Sequence, residues 1–395
     1  MQILQAPVTI VGGGIAGLWT YRRLQDAGIP ALLIEAEELG NGQTIASQGM
    51  VHGGQKYALQ GRKTPQSEAL KTMPQRWDHS LRGDPSEAID LSQTHKLSDH
   101  QILWTTGLLS SISSFFASKT MNARVHLTQQ EHPAFPFQSF KGQLYHLQEK
   151  VLDMSSLLRD LARDQRGIIK GNCEHIERKI DGSVDSISCS IGHEKVQIKS
   201  SLFLFTAGLG NELICDQIKP NHQMTQRRPL KQIMIRGHLP SIFGHCITAD
   251  PRPRITITTH QHSSGDSIWY LGGLIAEKVK DKNEEEAIPI IVKELNNLFP
   301  WHPWSSPLQV GFLTKIRAEA SNKGQLHDSP QITHEKNWVV IWPTKMTFAP
   351  AVGDQILKIC QQHNLSETTK NLPILPKPSI ALPPWETCEW SPCII

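Results

Sequence analysis

No apolar run in this sequence approaches the eighteen or so residues that a membrane-spanning helix requires. The start, Met1-Gln2-Ile3-Leu4, has no basic stretch ahead of an apolar one, so no secretory leader is read there. An excess of one charge is lacking as well: 40 Lys plus Arg face 37 Asp plus Glu, a formal net charge of +3. No global field points to nucleic acid or to an anionic surface, although peripheral membrane contact at the inner face, which needs no spanning helix, stays open. The seven cysteines are scattered, odd in number and without a CxxC pair. Reduced thiols in a cytoplasmic protein are therefore expected. No GxSxG or P-loop pattern occurs. His260 and His262 share a strand face, yet no third ligand has metal-site spacing, and no metal is expected.

The N-terminal segment carries the strongest signal. Residues 8–17 read Val-Thr-Ile-Val-Gly-Gly-Gly-Ile-Ala-Gly, and Glu35 closes the next apolar run, Ala31-Leu-Leu-Ile34. The spacing is that of a dinucleotide-binding βαβ unit. Gly12 allows the tight turn, Gly14 lets backbone approach a pyrophosphate, and Gly17 lets helix and strand pack closely. Ile15 and Ala16 open the helix whose N-terminal amides and dipole favour phosphate. Glu35 is placed to accept from ribose hydroxyls.

At 395 residues the chain is expected to form two domains. An amphipathic helix capped by Asp153 follows the mixed segment 101–147, with strands expected at Gln101–Thr105 and Ala123–Thr128 outside the nucleotide-binding sheet. A β-meander is expected from Ile168-Ile169-Lys170 through Ser183–Ile191 to Glu194–Ile198, then a buried parallel strand over 201–205 ending in Thr206-Ala207-Gly208. Alternating segments at Gln232–Ile235, Ile255–Thr259 and Ser267–Leu271 predict an antiparallel sheet. A helix over Glu284–Phe299, a strand over Asn337–Trp342 and a final helix from Pro350 complete the pattern, and the last twenty or so residues read as an irregular surface tail.

Thr44-Ile-Ala-Ser47-Gln48-Gly-Met-Val-His52-Gly53-Gly54-Gln-Lys-Tyr57 stands just past Glu35. With the N-terminal fingerprint it resembles the FAD-dependent oxidoreductases of the D-amino acid oxidase and glycerol-3-phosphate dehydrogenase superfamily. The His52-Gly53-Gly54 stretch is most similar to the glycerol-3-phosphate dehydrogenase branch. Phe205-Thr-Ala-Gly208, Tyr270-Leu-Gly-Gly273, Lys315-Ile-Arg-Ala-Glu319 and Pro343-Thr-Lys-Met-Thr-Phe348 resemble later family motifs. The family's Gly-Gly before its lysine is replaced here by Pro343-Thr344, and the helical C-terminal domain that the resemblance implies is not expected after the last helix.

The resemblance implies an α/β fold: a Rossmann-like FAD-binding domain of the GR2 type joined to a mostly antiparallel substrate-binding domain. The expected division gives 1–62, 148–226 and 329–372 to the FAD domain. Residues 63–147 form a cap region, 227–328 the substrate sheet, and 373–395 the tail. FAD is the implied cofactor, held by the fingerprint residues, by Ser47, Gln48, His52, Gly53 and Gly54, by Ala207 and Gly208, and by Lys345, Met346 and Thr347. His52 is read as base or ring-packing group, Lys345 as a charge beside the flavin, and Arg317 as an anion clamp. Arg254 and Tyr270 are expected to join Arg317 around the substrate.

The implied reaction oxidises a small anionic CH–OH substrate, of glycerol-3-phosphate or 2-hydroxy-acid type, with quinone or oxygen as electron acceptor. Oxidation of a CH–NH bond in an amino acid or secondary amine is the alternative. A non-catalytic flavin-binding regulatory or assembly protein is the alternative of another class.

Overall fold

The computed structural model describes residues 2–53, 65–105, 125–127, 140, 144–220, 222, 224–248, 250, 252–300, 302–304, 307–322, 327, 329–342, 345–363, 365 and 375–393, with backbone alone for 65–71 and 125–127. Among the described residues the strands form two large sheets and a short pair, β3 (Lys96–Ser98) with β7 (Val151–Leu152).

The first sheet is built on β1 (Gln2–Val11), which lies parallel to β2 (Ala31–Glu35) on one side and to β11 (Glu194–Phe205) on the other. β8 (Ile168–Lys170) extends it beyond β2, and β18 (Trp338–Trp342) extends it beyond β11, both in parallel. β17 (Gln331–Glu335) pairs antiparallel with β18. The antiparallel meander of β9 (Asn172–Arg178) and β10 (Val184–Ile191) branches from β11. Ile168–Lys170 therefore departs from the sequence expectation: it is a parallel edge of the nucleotide-binding sheet, and the unforeseen β9 takes its place in the meander. Two isoleucines followed by a lysine are too short a run to carry a period that distinguishes the two settings. The central strands are apolar on both faces because helices cover one face and the meander with Asn211–Ile218 the other.

The second sheet runs in the order β19–β16–β12–β15–β14–β13–β4–β6–β5. Its strands are β4 (Gln101–Trp104), β5 (Val125–Leu127), β6 (Leu144–Leu147), β12 (Thr225–Gly237), β13 (Phe243–Cys246), β14 (Ile255–Gln261), β15 (Ser267–Gly272), β16 (Leu308–Ala320) and β19 (Ser391–Cys393). All neighbours are antiparallel except β13 and β4. Alternation divides its residues sharply. Ile233, Ile235, Ile255, Ile257, Trp269 and Leu271 pack beneath the helix Glu284–Leu298. That helix starts at a capping box in which Asn283 and Glu286 satisfy each other's backbone amides. Residues of opposite parity, among them Thr256, Thr258 and Tyr270, face the first sheet's loops.

The carboxy-terminal segment is a correction to the expected irregular tail. Leu39 N–H donates to Ser379 O, Lys170 N–H to Pro376 O, and Ala381 N–H to Leu39 O, each at 2.8–3.0 Å. Further on, β19 joins β16, and Trp385 is buried against His260, with ring centroids 4.2 Å apart. The prolines break periodicity in sequence, while the docking rests on backbone groups and isolated aromatics that no periodic pattern reports.

Candidate active site

The turn between β1 and the helix Ile15–Asp26 explains its glycines atom by atom. Gly12 adopts φ +109, and a Cβ there would lie 2.6 Å from Ala207 Cα. A Cβ on Gly17 would lie 1.9 Å from Gly12 O. At Gly14, by contrast, an added Cβ would meet only Thr44 Oγ1, at 3.3 Å, so this glycine keeps an open approach to the helix N-terminus. No acidic side chain occupies the first turn of that helix, and no side chain caps Gly14. Ile15 N–H donates to Thr44 Oγ1 at 3.0 Å. The remaining first-turn amides have no partner four residues back, and with the dipole they suit a pyrophosphate.

Glu35, at the end of β2, turns its carboxylate back onto the glycine turn. Its carboxylate accepts from Gly13 N–H at 2.6 Å and from Glu37 N–H at 2.9 Å. Burial pushes its pKa up, and those backbone donors oppose the shift. Thr206 Oγ1 bridges Val11 O and Gly12 O, fixing Ala207 and Gly208 against the glycine turn. The open face at Gly14, the acid and the glycine turn together fit the adenosine diphosphate half of FAD.

The second half of the site gathers three distant segments. His52 N–H donates to Thr347 Oγ1 at 3.0 Å, and Trp77 Nε1–H donates to Thr347 O at 3.0 Å. Gly53 N–H donates to Glu149 Oε1 at 2.6 Å. Glu149 is 4 % exposed, and its other oxygen stands 4.0 Å from His52 Nδ1. From the second sheet, the His245 ring approaches to 5.8 Å of the His52 ring, centroid to centroid. His245 Nδ1 is 2.8 Å from Thr256 Oγ1. Pairing aligns Gly272, Thr256, His245, Leu103 and Tyr145 in one row across the sheet. Lys345 and Met346 are partly buried just before Thr347, shortly ahead of the helix Ala349–Gln362. Gly54 and Tyr57, with Pro343 and Thr344, lie outside the described residues.

Several expected contacts resolve differently. Tyr270 is fully buried, its hydroxyl donates to Ala46 O at 2.8 Å and meets the Gln232 amide, and its ring packs edge-on to Trp385. It is a tie between the sheets and not an open pocket wall. Gln48 serves the same junction, donating to Tyr270 O at 2.7 Å, and Ser47 Oγ accepts from Gly49 N–H at 3.3 Å. Arg254 is engaged by Glu294 of the Glu284–Leu298 helix at 2.5 Å, which neutralises its charge. Its place just before a strand does not disclose that partner, which comes from another element.

Arg317 is different. Its Nε is buried and meets no hydrogen-bond partner among the described residues. Burial, then the neighbouring Arg228, lower its pKa. It lies four residues beyond Leu313, the partner of Gln232, and so about 13 Å further along the strand. The structure shows no contact between Arg317 and His52. Glu149, His245 and Thr256 are the site residues that sequence reasoning missed. Glu149 is an acid set between the short strands Leu144–Leu147 and Val151–Leu152, a weak signal that becomes legible only with its partners in place.

This is the frame of a two-sheet flavoprotein, with a dinucleotide site on one sheet and a polar row on the other. The family model for FAD-dependent oxidoreductases (DAO) matches residues 7–355, and the chain belongs to that family. It is 38% identical over 392 residues to the probable FAD-dependent oxidoreductase PA4991 of Pseudomonas aeruginosa, covering 98% of each chain. The crystal structure of PA4991 superposes with TM-score 0.81 at 32% identity over 98% of both chains. Glycine oxidase from Geobacillus kaustophilus shares the fold at TM-score 0.62 and 11% identity, over 94% of this chain and 100% of that one. Glycerol-3-phosphate dehydrogenase from Bacillus halodurans, in complex with FAD, does so at 0.58 and 15%, over 92% of this chain and 66% of that one. The protein is an FAD-dependent oxidoreductase, which sets aside a purely non-catalytic flavin protein. Among the described residues no helix is long and apolar enough to cross a membrane.

Proposed function

We propose that the chain oxidises a small carboxylate-bearing substrate at a C–H bond next to nitrogen, with bound FAD supplying the two-electron acceptor. The observation that carries the anionic substrate is Arg317. The Nε of this half-buried guanidinium is buried and meets no hydrogen-bond partner among the described residues, and with Arg228 beside it the group is costly until an anion binds. His52 is the proton acceptor in this reading, fixed through its backbone by Thr347. Lys345 and the first turn of Ala349–Gln362 supply positive charge to the reduced ring.

The sequence favours a CH–OH substrate. The CH–NH reading draws its support from the fold shared with a glycine oxidase. The second reading, a 2-hydroxy acid or glycerol 3-phosphate, keeps the support of the His52-Gly53 motif. Quinone or oxygen takes the electrons onward. The test is Arg317→Gln in steady-state kinetics with matched flavin content. The reading expects KM for the anion to rise about 100-fold, from loss of a charged contact, with flavin retained. An unchanged KM, or loss of flavin instead, overturns it.

A further inference from the structure

The loop that leaves β2 is built onto the glycine turn. Gly40 N–H donates to Gly13 O at 2.9 Å, and Thr44 Oγ1 accepts from Ile15 N–H at 3.0 Å. Leu39 is fully buried, and a Cβ on Gly13 would fall 2.5 Å from its Cδ2. A shift of this loop therefore disturbs the turn and the helix N-terminus that fit the diphosphate of FAD.

The carboxy-terminal strap, residues 375–393, grips the same loop at two points. Leu39 and Ile380 form an isolated parallel bridge. In it Leu39 N–H donates to Ser379 O at 2.8 Å and Ala381 N–H donates to Leu39 O at 3.0 Å. Ser379 Oγ adds a bond to Glu38 Oε1 at 3.0 Å. Further along, Trp385 packs edge-on to Tyr270, whose hydroxyl donates to Ala46 O in the loop. The strap has its own anchors on both sheets. The Lys377 ammonium donates to Ile168 O at 2.8 Å and meets Gln165 O, and Lys170 N–H donates to Pro376 O at 2.8 Å. Glu386 accepts from Ser263 N–H at 2.9 Å.

We propose that this strap is a latch for the cofactor: docked, it holds Leu39–Ala46 against the glycine turn and retains FAD, and its opening at Leu39 precedes FAD release. An isolated bridge with exposed residues around it opens at a lower free energy than the ladders of the two sheets. The latch can therefore part while the sheets stay intact. Lys377 and Ala381 act through the loop and are positioning residues. The coupling is reciprocal, so bound FAD must favour the docked strap by the same factor by which the docked strap favours FAD. The latch concerns the cofactor alone and is independent of which substrate the site oxidises.

The experiment is hydrogen–deuterium exchange in the full chain with and without FAD, read on the amides of Leu39 and Ala381. Ile187 and Ile198 serve as controls, because pairing with Leu4 places them at the end of β1 away from the glycine turn. Leu39 and Ala381 are expected to exchange about tenfold more slowly with FAD bound, within the usual range of coupling between sites, while the controls are unchanged. No slowing at Leu39 and Ala381, or equal slowing at all four amides, overturns the proposal. Lys377→Met then tests the latch from its far anchor, by the rate of FAD release on dilution, followed by flavin fluorescence. Release about tenfold faster is expected from loss of charged hydrogen bonds, with exchange at Ile187 and Ile198 unaltered. Unchanged release from the folded variant overturns the proposal, and so does faster release accompanied by equal loosening of the control amides.

Discussion

The Tyr270 hydroxyl donates to the carbonyl oxygen of Ala46 at 2.8 Å, joining a strand of the second sheet to the loop that leaves the dinucleotide-binding strand β2. The bond spans 224 residues of sequence and fixes how the two halves of the site face each other. Burial pushes the Tyr270 pKa well up, so the phenol stays a donor. Tyr270→Phe leaves a buried carbonyl without that donor, and a loss of about 1–3 kcal/mol is expected. Chemical denaturation of the loaded protein checks it, and flavin release at lower denaturant than the main transition would place the weakness at the sheet junction.

Gly17→Ala tests the glycine turn. With a Cβ position 1.9 Å from Gly12 O, either the helix or the turn must move. Overpacking of this kind costs about 1–3 kcal/mol. The expected product is a folded protein purified without bound flavin, seen as normal far-ultraviolet circular dichroism with no visible flavin absorption.

His260 predicts a pH dependence. Burial against Trp385 drives its pKa down to about 3, so the folded protein keeps it neutral while the unfolded chain binds a proton below about pH 6.5. The unfolded state then holds more protons, and stability falls as pH drops from about 6.5 towards 3. The full effect is of order 4–5 kcal/mol. Stability measured against pH in His260→Gln is expected to lack this component; equal slopes in both proteins would contradict it.

Arg254 and Arg317 are expected to separate cleanly. Arg254→Ala leaves the largely buried Glu294 carboxylate without its cation, at a cost of about 1–3 kcal/mol in stability, and leaves KM unchanged. Arg317→Gln is expected to spare stability, because a buried Nε without a hydrogen-bond partner is removed, and to raise KM. Parallel denaturation and kinetic measurements on both variants check the contrast.

What the sequence discloses and what it hides divide along one physical line. The geometry around Gly12, Gly14, Gly17 and Glu35 is legible because it depends on neighbours within or close to one βαβ unit, so spacing alone specifies the turn. The antiparallel strands around Ile233, Ile257 and Leu271 are legible because one face is buried under a helix and alternation follows. The protein partners of Arg254 and Tyr270 are hidden for the opposite reason. Their partners, Glu294 and Ala46, come from other elements, and no local pattern tells an arginine spent on a helix from one left for a ligand. Glu149 is silent in sequence because a lone acid between apolar strands is ordinarily a turn residue. Trp385 is hidden by its prolines, which read as irregular chain although the segment around them docks on both sheets.

The most direct measurement is the visible spectrum of the flavin-loaded protein during anaerobic addition of amino acids, N-substituted glycines, 2-hydroxy acids and glycerol 3-phosphate. The account predicts that a small carboxylate bearing an N–H group bleaches the flavin bands, and that Arg317→Gln needs far more of it to do so. Bleaching by a neutral compound, or by these anions with no dependence on Arg317, would contradict it.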